Sequence, residues 1–309
     1  MPRPRTFPAD HPPFVALPVT PVALAGGLRA MIHVSGECSR HMLPLVCIPG
    51  YQRNMTDFAD FVQYFHRASG GDWPIVLLDL PGRGRADDRR KAEDYGSLAD
   101  ARDVASVLAA LGIPQAILFG QGHGGQVSMA LAAEHPLLVA GTILLDSGPV
   151  TDSRGIVRLR NNVAHVEALR GKAVLADFRR ILAGDYPELA PRQLDELIGR
   201  THFIDKRGRA QPLYDKRLIS ALASINFDDV LAPQWPLFDA LRSAPLMLIR
   251  TQLTDQMRRQ TFEEMTRRRP DATMLAIEGQ GSPALLNQPH DVEAIASFAR
   301  ATSRRRLVA

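Results

Sequence analysis

Cysteine is almost missing from this chain: Cys38 and Cys47 are the two thiols among 309 residues. Two cysteines without CxxC or Cys/His spacing make neither a disulfide framework nor a zinc site. Free thiols in a reducing compartment are expected, with no metal and no cofactor. Long apolar runs are missing too. None approaches the roughly 18 residues of a transmembrane helix. The segment from Met1 to Phe14 is proline-rich, carries Arg3 and Arg5, and lacks the apolar stretch of a secretory leader. Neither sign of charge dominates: 37 Lys and Arg stand against 33 Asp and Glu, a net charge of +4. The basic runs Arg267–Arg269 and Arg304–Arg306 have no interleaved aromatics, which argues for a solvated surface over a nucleic-acid site. A cytoplasmic protein is expected, with a small molecule as its partner and neither nucleic acid nor membrane. Oligomeric state is not legible.

What is present is size and rhythm. With 45% hydrophobic residues, the chain can bury one large core, or a core with an inserted subdomain. Phe14–Val19 and Ala30–Val34 read as opening strands joined by a hairpin at Gly26-Gly27. Short apolar runs then alternate with helical patterns: strands at Leu43–Ile48, Ile75–Leu80, Ala116–Phe119 and Gly141–Leu145, helices near Asp57–Ala68, Ser97–Leu111 and Gln126–His135. This alternation predicts a mostly parallel sheet covered by helices on both faces. After Pro149 the rhythm changes. Ile156–Leu169, Leu175–Ala183, Pro191–Ile198 and Leu213–Ala223 read as helices without a strong strand, an all-helical insertion. The sheet resumes at Leu246–Arg250, followed by a helix at Gln260–Arg268, a strand at Thr273–Ile277 and a helix at Asp291–Ala301. The expected division is a core over 1–149 and 237–309, interrupted by a helical cap over 150–236.

One motif carries chemistry. Ile117-Leu118-Phe119-Gly120-Gln121-Gly122-His123-Gly124-Gly125 is an apolar strand running into a glycine-rich turn and a helix, the setting of the G-x-S-x-G nucleophile elbow. The serine's place holds Gly122, which cannot attack a carbonyl.

From about Phe14 to Ala301 the chain resembles the α/β-hydrolase superfamily, in particular cap-bearing bacterial hydrolases of small esters, lactones or carbon–carbon bonds. Six segments carry the resemblance. Ile48-Pro49-Gly50-Tyr51-Gln52-Arg53-Asn54 stands at the oxyanion loop. Asp79-Leu80-Pro81-Gly82-Arg83-Gly84-Arg85 resembles the D-x-x-G-x-G-x-S loop, with Ala86 near the usual serine. Gly120–Gly125 is the elbow, and Asp146-Ser147-Gly148-Pro149 resembles the D-x-G-P before the cap. Thr254-Asp255 resembles the S-D that carries the acid. Gly279-Gln280-Gly281-Ser282-Pro283-Ala284-Leu285-Leu286 resembles G-x-G-H-A-P-x-L. The resemblance implies an α/β-hydrolase fold with a helical cap. It puts Gly122 at the nucleophile position, Ser282 at the base position and Asp255 at the acid position. A serine triad needs nucleophile, base and orienting acid; here the acid alone remains, with nothing to orient. The backbone oxyanion hole, by resemblance the N–H groups of Tyr51 and His123, does not depend on side chains.

Each residue has two readings. Gly122 marks either a pocket rebuilt for other chemistry or relief of positive-φ strain, a laboratory knock-out being a third origin. His123 is a candidate base, or supplies its N–H while its ring packs into the flanking structure. Asp255 holds water or substrate, or is fixed by a structural hydrogen bond. Gly50, Tyr51, Arg53, His123 and Asp146 are candidate substrate-binding residues. Asp146 and Asp79 lie at strand C-terminal ends, where ligands bind in open α/β sheets, or serve as turn residues. Ser282 and Gln280 bond a ligand or pack their loop. His165, His202 and Tyr214 lie in the insertion without a fixed facing. His290 is expected on the surface and Cys47 in the core. Three functions follow: an enzyme of non-covalent chemistry (water addition, isomerisation or lyase action) on a small, mostly apolar carbonyl compound; a catalytically inactive ligand-binding protein; or an inactivated serine ester or lactone hydrolase.

Overall fold

A computed structural model describes residues 5–37 and 42–308, so Cys38 lies outside the described residues. The described chain opens with a short helix α1 (Pro12–Val15) and the hairpin β1 (Thr20–Ala23) and β2 (Arg29–Ser35). Then come β3 (Leu45–Ile48), α2 (Ala59–Ser69), β4 (Ile75–Asp79), α3 (Ser97–Ala110), β5 (Ala116–Gln121), α4 (His123–Glu134) and β6 (Val139–Leu145). The chain then leaves the sheet for α5 (Ser153–Ala168), α6 (Lys172–Ala183), α7 (Pro191–Gly199), a hairpin β7 (His202–Ile204) and β8 (Ala210–Pro212), α8 (Arg217–Ser220) and α9 (Trp235–Asp239). It returns with β9 (Leu246–Thr251), α10 (Arg259–Arg268), β10 (Thr273–Ile277) and α11 (Pro289–Val308).

Eight of these strands form one sheet in the order β1-β2-β4-β3-β5-β6-β9-β10. From β4 to β10 all neighbours are parallel, while β2 pairs antiparallel with both β1 and β4. This is the α/β-hydrolase fold. Every residue of β3, β4 and β5 is buried, because side chains alternate between two covered faces. Val46, Val76 and Leu118 meet Val104, Leu108, Val127 and Met265 on one face. Leu45, Leu77, Ile117 and Phe119 meet Phe61, Phe65, Val292 and Ile295 on the other. Full burial of one such side chain contributes about 1.5–3 kcal/mol, so both layers are needed. Cys47 belongs to the second layer, and burial pushes its thiol up.

Three expectations are corrected. Phe14–Val19 is not a strand. Pro12 and Pro13 open a helical turn, and Arg85 takes the carbonyls of Phe14 (3.0 Å) and Leu17 (2.7 Å) that a strand would have paired. The segment after β6 is not all helical, because β7 pairs with β8 across a turn whose Asp205 carboxylate accepts the N–H of Arg207 and Arg209 and whose Gly208 has φ 68°. The helix expected over 213–223 shrinks to Arg217–Ser220. Tyr214 bridges to Arg83, and the Asp215 N–H bonds the Gly82 carbonyl at 2.7 Å, which holds this stretch extended along the sheet end.

No helix among the described residues is long and apolar enough to cross a membrane.

Candidate active site

The elbow joins β5 to α4 at Gly122, whose backbone sits at φ 51°, ψ −116°. A side chain there would be strained, as positive φ is for any L residue, by about 1–3 kcal/mol. It would not clash: an added Cβ would have Gly50 Cα as its nearest neighbour, 4.0 Å away. The surrounding glycines differ. A Cβ at Gly120 would strike the Gly124 backbone, one at Gly124 the Ile48 carbonyl, and one at Gly125 the Ser147 side chain. Those three glycines let α4 press against β3 and β5, whereas Gly122 faces open space. The N–H groups of Tyr51 and His123 have no acceptor among the described residues. They are available for an oxygen, as the resemblance implies.

The His123 ring packs into the flanking structure, with its side chain 8% exposed, and the residue also lines the pocket. Its Nε2 lies 2.9 Å from Oδ2 of Asp100 on α3, and its ring meets the Tyr51 ring edge-on at 5.2 Å. Asp100 is fully buried. Burial raises its pKa, but Arg83, the His123 hydrogen bond and Arg89 outweigh burial and hold it well below the usual carboxylate range. An ionised Asp100 can only accept, so the histidine proton sits on Nε2. Nδ1 then carries the lone pair, and it has no partner among the described residues. His123 lines the pocket above the elbow. Arg83 completes the arrangement: Nη1 pairs with Asp100 at 2.9 Å and Nε donates to the Tyr51 carbonyl at 2.8 Å. One buried arginine thus braces both residues whose N–H groups face the pocket. Arg89 bridges Asp100 (2.9 Å) and Asp103 (2.5 Å).

The far side of the floor is arranged otherwise. Asp146, at the end of β6 with φ 47°, is buried and accepts from Thr251 N–H (2.8 Å) and Thr251 Oγ1 (2.7 Å). Burial pushes Asp146 up to about 6, against the pull of these bonds. Asp255 instead pairs with Nε of Arg158 on α5 at 2.6 Å and accepts from Gln256 at 2.9 Å. Arg158 also reaches Asp185 at 3.0 Å. The residue at the base position lines the pocket, and the residue at the acid position bonds the inserted segment.

Between the sheet ends and the insertion lies a cavity of about 180 Å³. Gly50, Tyr51, Arg53, Gly122, His123, Asp255 and Ser282 line its floor, while Val163, Phe178, Ile181 and Leu197 supply an apolar roof. Asp146 is not in the lining. Arg53 binds Asp57 through two parallel bonds of 2.7 and 2.6 Å. Of the insertion residues left without a facing, His202 lines the cavity; it contacts Thr201 (2.9 Å) and Tyr214 (3.3 Å), and burial with nearby Arg53 and Lys216 lowers it to about 3. His165 pairs with Asp177 and His290 with Asp291 on the surface. Gln280 is buried and accepts from Leu285 N–H, a loop-packing role. Asp79 accepts from Met55 N–H (2.8 Å) and Arg85 N–H (2.9 Å), tying the loops after β3 and β4 together. Among the described residues no group of His, Cys, Asp or Glu is arranged to hold a metal ion.

Sequence reasoning missed Asp100, Arg83 and Arg158. Asp100 left a readable signal: it stands one turn before Val104 on the buried face of α3, where an acid needs a partner.

A profile of the alpha/beta hydrolase family matches residues 45–295. A 2-hydroxy-6-oxononadienedioate/2-hydroxy-6-oxononatrienedioate hydrolase of Burkholderia vietnamiensis is 26% identical over 170 residues, 52% of this chain and 58% of that relative. The chain thus spans little more than half the length of that protein. A 3-hydroxybutyrate-oligomer hydrolase of Cupriavidus necator is 23% identical over 294 residues, 90% of this chain and 94% of the other. The crystal structure of an alpha/beta hydrolase from Novosphingobium aromaticivorans superimposes with a TM-score of 0.78 at 25% identity, covering 92% of this chain and 98% of that one.

Proposed function

The chain belongs to the alpha/beta hydrolase family, and from that premise we propose that it binds a small, mostly apolar carbonyl compound beneath the insertion, read as a cap, and acts on it without a covalent serine step. The observation that carries this reading is the Asp100–His123 pair, next to Gly122 at the nucleophile position. The substrate oxygen accepts from the N–H groups of Tyr51 and His123, donors typically worth about 2.7–4 kcal/mol each in a transition state. Nδ1 of His123 removes a proton from the carbon beside the carbonyl, or from water. Asp100 fixes the tautomer and stabilises the imidazolium that forms. Gly122 leaves the space of a serine hydroxyl to the substrate. Proton transfer of this kind serves isomerisation, water addition or lyase action. Ester cleavage through an acyl-enzyme is outside it.

The test is deuterium exchange at the α-carbon of small ketones and lactones in D₂O, followed by NMR. The wild-type protein is expected to accelerate exchange for some member of the panel, and His123→Asn to return it to background. A serine-directed fluorophosphonate probe is expected to leave the protein unlabelled. Labelling at any serine, or an exchange rate indifferent to His123→Asn, defeats the proposal.

A second reading, a catalytically inactive ligand-binding protein, is favoured by one observation. On the β9–β10 side of the floor Asp255 is held by Arg158 and Gln256. Saturable binding of panel members without exchange supports it.

A further inference from the structure

A second cavity, of about 540 Å³, opens on the outer side of α5 where the insertion meets the loop after β9. Gly155, Arg158, Asn162 and Asp255 line both cavities, so the Arg158–Asp255 ion pair is the partition between them. The outer cavity is rich in cations: Arg154, Arg158, Arg250 and Arg258 face it, against Asp152 and Asp255. Most of that charge is already matched. Asp152 takes Arg154 (2.9 Å) and Arg258 (2.7 Å), and Arg158 is shared by Asp255 and Asp185. Even with Asp185 counted, four arginines meet three carboxylates.

The surplus is Arg250, on β9. Among the described residues it makes no ion pair. Its one hydrogen bond runs from Nη1 to the Thr251 carbonyl at 3.3 Å, and its Nε is buried without a partner. Asp146 feels its charge without pairing with it. A buried guanidinium N–H without an acceptor is costly, more so for a charged group. It is relieved by an anion that presents two oxygens to the planar fork. The remaining lining is apolar, with Val157, Phe227 and Met257 around the cations.

We propose that the outer cavity is an anion subsite, in which Arg250 holds the carboxylate of a ligand whose apolar body packs on Phe227 and Met257. The subsite stands whether or not the inner cavity performs proton transfer, because its test reads binding alone.

Benzoate and benzamide, alike in shape and different in charge, are titrated into the full chain and followed by calorimetry and by the Nε–H resonance of Arg250. Benzoate is expected to saturate, to shift that resonance and to weaken as salt is raised. Benzamide is expected to bind at least about tenfold more weakly, the scale of a charge-assisted hydrogen bond. Arg250→Gln should lose a similar factor, and Arg250→Lys should keep part of the affinity. Equal binding of the two probes, no binding of either, or benzoate binding that survives Arg250→Gln but is lost in Arg53→Gln overturns the proposal. Should Arg250→Gln fail to fold, the probe pair and Arg250→Lys still decide it.

Discussion

At the elbow end of the pocket floor, Asp100 meets two arginines and a histidine; at the β9–β10 end, Asp146 accepts from Thr251 and pairs with no cation. Both carboxylates are buried. The first stays charged because its partners repay desolvation, and the second is pushed up to about 6 because one hydroxyl and one N–H do not. A histidine at position 282 would have offered Asp146 a group able to take positive charge. With serine there, burial keeps the carboxyl above its ordinary range. The difference teaches that orienting power in this pocket goes with the cation supply, and the supply lies under the elbow.

The sharpest way to break this comparison is to remove each carboxylate. Asp100→Asn leaves Arg83 and Arg89 short of a buried counter-charge and should cost about 3–5 kcal/mol in urea unfolding. Asp146→Asn should behave in the opposite sense near neutral pH. An acid whose pKa is raised on folding binds more protons folded than unfolded, so its contribution to stability falls as pH rises from its ordinary value near 3.8 to about 6. The variant escapes that fall. Its stability relative to wild type should improve by about 2 kcal/mol between pH 4 and pH 7, and a flat difference over that range removes the contrast.

Gly122→Ser probes the elbow itself. It should fold, at a cost of about 1–3 kcal/mol in thermal unfolding for its positive φ. Combined with Ser282→His, it asks whether the β9–β10 end can be restored: a gain of ester or lactone hydrolysis marks an intact hydrolase pocket, and no gain marks a rebuilt one. The smallest effect is expected for Arg158→Gln. Its guanidinium is about half exposed, so losing the pair with Asp255 should change stability by less than about 1 kcal/mol. A larger loss would show that the insertion is latched to the sheet through this one side chain.

The sheet was readable because its strands are continuous apolar runs and its turns are glycine-rich. The elbow was readable because four glycines close to one another have few other uses. The Asp100–Arg83–His123 network was not, since it joins α3, the loop after β4 and the elbow, and no local pattern announces contacts across that separation. Asp255, read at the acid position, lines the pocket, and its partner Arg158 comes from a helix whose facing depends on the insertion's packing. The β7–β8 hairpin escaped notice because three-residue strands carry too little alternation to stand out, although the Asp205 to Gly208 turn was visible in principle.

Of the glycines at the elbow, three are packing spacers and one is a vacant socket. Position 122 accepts a Cβ without moving a neighbour. A cysteine installed there would be a single addressable thiol at the mouth of a helix N-terminus, ready for alkylation by reagents that report on the pocket's width. With Cys38 replaced by serine and Cys47 sealed in the core, that handle would be selective.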